Sequence, residues 1–100
     1  MTAPMWLTAP DDLTGHAAGY WKSLAPRLWR AGRLTIDSAE PLKALCRLLA
    51  ISRTAADEIG RDGVTIATGT GSRRAHPAGE IMLKAQRDAA ALMHDFELAP

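Results

Sequence analysis

Apolar residues recur at the helical period in three stretches of this 100-residue chain. In the first, Ala17, Tyr20, Trp21, Leu24, Leu28 and Ala31 share one side at about 100° per residue. Lys22, Arg30 and Arg33 fall opposite, with Arg27 at the margin. The helix is expected to start near Asp11–Thr14 and to run toward Ala31, with Gly32 as the residue that stops it. Pro26 lies inside the pattern and predicts a kink or a break into two short helices. The second stripe is Leu42, Leu45, Cys46, Leu49, Ala56 and Ile59. Asp37 with Glu40 three residues on reads as a capping box, Pro41 suits the first turn, and Gly60 with Asp62-Gly63 ends the helix. Residues 64–75 break the periodicity. Val64-Thr65-Ile66-Ala67-Thr68 is β-prone and runs into Gly69-Thr70-Gly71-Ser72-Arg73-Arg74, which predicts an extended or hairpin-like connection. His76-Pro77 then opens a third helix, with Ile81, Met82, Ala85, Ala89, Leu92, Met93 and Phe96 on its apolar side and Glu80, Lys84 and Arg87 opposite. The expected fold class is all-α: three to four helices with a long connection before the last.

Residues 1–10 read as an N-terminal arm, because Pro4 and Pro10 break any helix and Trp6 and Leu7 are apolar without periodicity. Residues 11–100 are left as a single helical domain, too short to hold a second core. Composition agrees: only 5% of residues are aromatic and Val64 is the only valine, which favours helix over sandwich or barrel. It also implies a thin core. Alanine lets helices approach closely but removes little apolar area from water, at about 25 cal/mol per Å². Burying more surface against further copies of the chain is the expected remedy. The single cysteine, Cys46, forms no intrachain disulfide, and no apolar run approaches a membrane span, so a cytoplasmic protein without membrane contact is expected.

The residues for common chemistries are missing or misplaced. His16, His76 and His94 are far apart, with no metal-ligand spacing on a helix. Gly69-Thr70-Gly71-Ser72 lacks the lysine that a phosphate loop places before its Ser/Thr; Arg73-Arg74 follow instead. Asp57-Glu58 reads as a solvated helix pair. No enzyme activity, metal or cofactor is expected.

Electrostatics is more informative. Formal net charge is +1, from 12 Lys+Arg against 11 Asp+Glu, so basic character must be local. Lys22, Arg27, Arg30 and Arg33 supply four positive charges between residues 21 and 34, with no negative one. Guanidinium groups on a helix's solvent side suit phosphate oxygens at any sequence. The plainer reading is a solubilising face paired with Asp11, Asp12 and Asp37. Trp29 projects beside the basic side, to stack on a base or anchor a protein contact, unless the Pro26 kink turns it inward. Arg73 and Arg74 sit where a loop reaches a phosphate backbone or serves as a plain connector. Cys46 reads as a buried structural thiol, and His76 as a helix-start device.

Trp21, Leu24-Ala25-Pro26-Arg27-Leu28, Gly32-Arg33-Leu34-Thr35, Asp37 and Leu42 to Cys46 together resemble the N-terminal part of the small-subunit terminases of tailed phages. Gly63-Val64-Thr65, Thr68-Gly69, Gly71, His76-Pro77-Ala78 and the ending Phe96-Glu97-Leu98 resemble their second half, in order, from about Pro10 onward. The resemblance implies a helical, non-catalytic subunit that assembles into a homo-oligomeric ring. It also implies binding of double-stranded viral DNA and its delivery to a large terminase subunit, which carries the ATPase and nuclease, in the host cytoplasm. Similar proteins serve phages, prophages and gene transfer agents. The family's Trp, Asp and Cys positions fall on Trp21, Asp37 and Cys46, read here as fold positions. On this basis Lys22, Arg27, Arg30, Arg33, Arg73 and Arg74 are the expected DNA contacts. Trp6, Trp29, Met82, Met93, Phe96 and Leu98 are the expected oligomer or partner contacts. Many relatives continue into a tail beyond the last helix, whereas this sequence stops at Pro100, so another surface is expected to meet the large subunit. Two rivals are a helical adaptor using Trp6, Trp29 and Leu98, and a helix-turn-helix regulator built across Gly32–Thr35. Asp37 and Glu40 at the start of the second helix disfavour the regulator, since carboxylates there meet phosphate repulsion.

Overall fold

The three periodic stretches form three helices, in a computed structural model that describes residues 7–69 and 71–97. They are α1 (Gly15–Arg30), α2 (Ala39–Asp62) and α3 (Ala78–Asp95), with a single 3-10 turn (Ile36–Ser38) leading into α2. Strands β1 (Thr65–Ala67) and β2 (Arg73–Ala75) pair antiparallel between α2 and α3, in the register Thr65↔Ala75, Ile66↔Arg74, Ala67↔Arg73. The long connection is thus a true hairpin. It lets α3 fold back along α2, while α1 packs on α2 from another side.

Local chemistry explains most boundaries. Gly32 has φ 72°, its N–H donates to the Trp29 carbonyl, and the Arg33 N–H donates to the Leu28 carbonyl, so α1 closes in a Schellman motif. Gly63, at φ 87°, donates to the Ile59 carbonyl and ends α2. The helix α1 starts at Gly15 with Thr14 as its N-cap, at the edge of the expected Asp11–Thr14 start. Two expectations are corrected. The helix does not break into two at Pro26. The proline removes the bond to the Lys22 carbonyl, on the solvent side of the helix where Lys22 is exposed. Asp37 is no cap: it sits exposed in the 3-10 turn, where Thr35 Oγ1 and Ser38 Oγ share a hydrogen bond of 3.2 Å.

The core is uneven along the molecule. At one end Trp21, Leu28, Leu42, Leu45 and Cys46 are fully buried, joined by Leu13, Leu34, Ala89 and Phe96. Trp21 Nε1 donates to the Leu7 carbonyl at 2.7 Å, which satisfies the indole and ties down the segment before α1. Asp12 reinforces this tie with Lys43 Nζ at 2.8 Å and Arg47 at 2.9 Å; the Lys43 ammonium holds its carboxyl below the usual carboxylate range. Burial pushes the Cys46 thiol up to about 11, so it is inert at neutral pH. Toward the hairpin, small residues take over: Ser52, Ala55, Ala78 and Ala85 are buried, whereas Ala56 and Ile81, expected in the stripes, are exposed; at the other end Ala31, also expected in a stripe, is exposed past the end of α1.

Polar bonds hold this thin end. His76 Nδ1 accepts the Ala78 N–H at 3.0 Å, and Nε2 faces Asp62 Oδ2 at 3.0 Å. With Nδ1 accepting, Nε2 carries the proton and donates to the carboxylate. The Asp62 carboxyl is held low first by Arg61 and then by His76. The backbone N–H of His76 also donates to the Val64 carbonyl at 2.9 Å, so one residue ties α2 and α3 to the residue just before β1. His76→Ala removes a helix cap worth about 1 kcal/mol. The expected result is a lower melting temperature with faster amide exchange at the hairpin end. Unchanged protection there contradicts the latch.

Candidate nucleic-acid interface

The core fixes what α1 shows to solvent. Ala17, Trp21, Ala25 and Leu28 face inward, so Gly19, Lys22, Ser23, Arg27 and Arg30 are turned out and exposed. Lys22 and Arg30 are eight residues apart, about 12 Å along the axis. The sequence of α1 contains no acidic residue, and Lys22, Arg27 and Arg30 form no ion pair among the described residues. The suggested pairing of this face with Asp11, Asp12 and Asp37 does not occur, because Asp12 is taken by Lys43 and Arg47 on α2. Arg27 and Arg30 also lie in the last turn, where the helix dipole favours them.

The other predicted cations are placed elsewhere. Arg33 is held by Glu97, through Nε to Oε2 at 3.1 Å and a second bond to the Glu97 carbonyl at 3.2 Å. That clamp fixes the end of α3 against the α1–α2 connection, with Glu97 at φ 57°. Arg73 folds back on its own hairpin, to Thr65 Oγ1 at 2.8 Å and the Thr65 carbonyl at 2.9 Å. Arg74 is exposed on the other face of the ribbon, opposite Ile66. The hairpin lies at the far end of the 24-residue helix α2, roughly 36 Å from the end near Arg33. The six residues therefore make one patch of three, a clamped arginine and a separate ribbon.

The structure adds Arg53, which the sequence reading did not single out. It is exposed on α2 and lines a shallow depression with His16, Tyr20 and Ser23 of α1. Nothing local marks it; only the packing of α1 on α2 brings it beside the basic face.

The expected contact residues divide in the same way. Trp29 is half-buried at the side of α1, as are Met82 and Met93 on α3. Phe96 is 8% exposed and packs in the protomer's own core. Trp6 and Leu98 lie outside the described residues. In the helix-turn-helix reading α2 would be the recognition helix, and it packs against both α1 and α3 with Glu40 exposed in its first turn. Among the described residues no helix is long and apolar enough to cross a membrane.

No curated protein and no solved structure matches the chain. A family model described as phage terminase, small subunit, matches residues 17–100, a span that takes in nearly all of α1, both strands and all of α2 and α3. The chain therefore belongs to the phage terminase small subunit family, whose role is in phage DNA packaging.

Proposed function

We propose that this chain is a non-catalytic packaging subunit that self-assembles, binds double-stranded DNA through the solvent face of α1, and presents it to the large terminase subunit, which supplies the motor and nuclease. One observation carries the DNA reading. Lys22, Arg27 and Arg30 stand exposed on an acid-free helix with no carboxylate partner among the described residues, while Arg33, Lys43, Arg47 and Arg61 are all spent on carboxylates of the same chain. Arg53 extends the patch, and Arg74 supplies a second, distant contact.

Phosphate contacts of this kind release counterions and carry no sequence information. Three or four of them bind weakly alone. Repetition over several copies converts weak contacts into retention, because each further contact is intramolecular. Surface area favours assembly. The protein exposes 6710 Å², against about 5500 Å² expected for a monomer of 10.7 kDa. Its extents of 62 × 25 × 17 Å describe a rod rather than a sphere.

The reading is tested by titrating salt against DNA binding. The logarithm of the apparent affinity is expected to fall linearly with the logarithm of salt, by about 0.9 per phosphate contacted. An affinity indifferent to salt contradicts it.

A further inference from the structure

We propose that His76 is a proton-operated latch: a second proton on its ring, at Nδ1, releases the first turn of α3 while the hairpin stays tied to α2. The bonding of the ring carries this. Nδ1 accepts the Ala78 N–H at 3.0 Å, and a nitrogen that accepts holds no proton. Nε2 lies 3.0 Å from Asp62 Oδ2 and donates to it. Both ring nitrogens are thus engaged, in opposite senses, and only 10% of the side chain meets solvent. An imidazole takes up its second proton between about pH 8 and 5. The imidazolium has two donors and no acceptor. Turning the ring over brings another N–H to the same place, so no orientation of it serves Ala78.

The bonds of His76 respond differently to that proton. The Asp62 carboxyl, held below the usual carboxylate range first by Arg61 and then by His76, stays ionised and grips the charged ring more strongly. The bond from the His76 N–H to the Val64 carbonyl does not involve the ring and persists. The Ala78 N–H alone meets a donor in place of its acceptor. Ala78 is 3% exposed, so its N–H is fully hydrated only when the first turn of α3 opens. Ala78 and Ile81 of that helix face Ala50, Ile51 and Ala55 of α2 across a groove of ≈ 460 Å³, and the same proton loosens this wall. The surrounding charges are few. Arg61 is bonded to Asp62 Oδ1 at 3.1 Å, Glu58 lines the groove, and Glu80 is exposed in the first turn of α3. On the hairpin Arg73 is folded onto Thr65 and Arg74 is exposed. His16, exposed at the start of α1, lines the groove with Ala78 and is the other imidazole there.

A lost cap and a stronger ion pair oppose each other in the global melt, so the test is local: nitrogen-15 NMR of the full chain across that pH interval. At its upper end the ring of His76 is expected as the Nε2–H tautomer. As the ring takes its second proton, the Ala78 amide shift is expected to move with the same midpoint and its exchange protection to fall about tenfold, while the His76 amide keeps its protection. These readouts need no variant. His76→Asn supplies an acceptor that does not titrate and is expected to leave the Ala78 amide flat. His16→Gln is expected to leave the wild-type response in place. An Nδ1–H tautomer at the upper end, or an Ala78 amide indifferent to the charge on the ring, overturns the latch. So does a response that persists in His76→Asn or vanishes in His16→Gln.

Discussion

Replacing Lys22, Arg27 and Arg30 together by glutamate is expected to reduce retention of duplex DNA at low salt by at least about a hundredfold. The three side chains are exposed, so the substitutions leave the core untouched and the stability within about 0.5 kcal/mol of wild type for each position. Helical content should persist, since none of the three belongs to the core. Alanine in place of glutamate gives a finer readout: the salt slope loses about 0.9 for each phosphate contact removed. Arg33→Ala and Arg73→Ala serve as the comparison. Both side chains are already held, by Glu97 and Thr65, and their loss is expected to cost less binding than any of the three. Filter binding or mobility shift on short duplexes settles the matter. Retention unchanged in the triple glutamate variant would transfer the function to protein contacts and favour the adaptor reading.

Trp21→Ala carries the largest expected effect on the fold. Trp21 is fully buried, it is the largest side chain in the core, and its indole N–H is bonded to the Leu7 carbonyl. Large-to-small changes of this kind cost about 3–5 kcal/mol. A domain of this size has about 5–15 kcal/mol in all, and one with an alanine-lined second half sits toward the lower end. The variant is expected to be largely unfolded at physiological temperature, by circular dichroism and thermal melt. Trp21→Phe keeps most of the ring but leaves the Leu7 carbonyl without its donor, and should fall in between. A melt for Trp21→Ala within a few degrees of wild type would mean that the core does not centre on this residue.

The helices were legible because their apolar faces repeat at the right period and because Gly32 and Gly63 stand where left-handed backbone is required. The hairpin was legible from a β-prone run followed by glycines. Its register was not, since that depends on how β1 and β2 pair across the turn. Pro26 does not break α1 in two, since the bond it removes lies on the helix's solvent side, and which side that is depends on the tertiary fold. Asp37 misled in a similar way: three-residue spacing to Glu40 satisfies the capping pattern, yet a 3-10 turn intervenes and α2 starts two residues later. In the candidate site, Lys22, Arg27 and Arg30 were found from charge and phase alone. The loss of Arg33 to Glu97, 64 positions away, and the arrival of Arg53 beside Ser23 are tertiary events that no local pattern encodes. His76 was legible as a helix-start residue, and its second bond, to Asp62, needed the hairpin to close first.

The central claim is that several copies hold a polyanion together through faces too weak to hold it singly. The most direct measurement is the solution mass of the chain with and without a short DNA duplex, at low and then raised ionic strength. Several copies in one particle, carrying duplex at low salt and shedding it as salt rises, is the expected result. A lone protomer that passes the duplex by, even at low ionic strength, would contradict it.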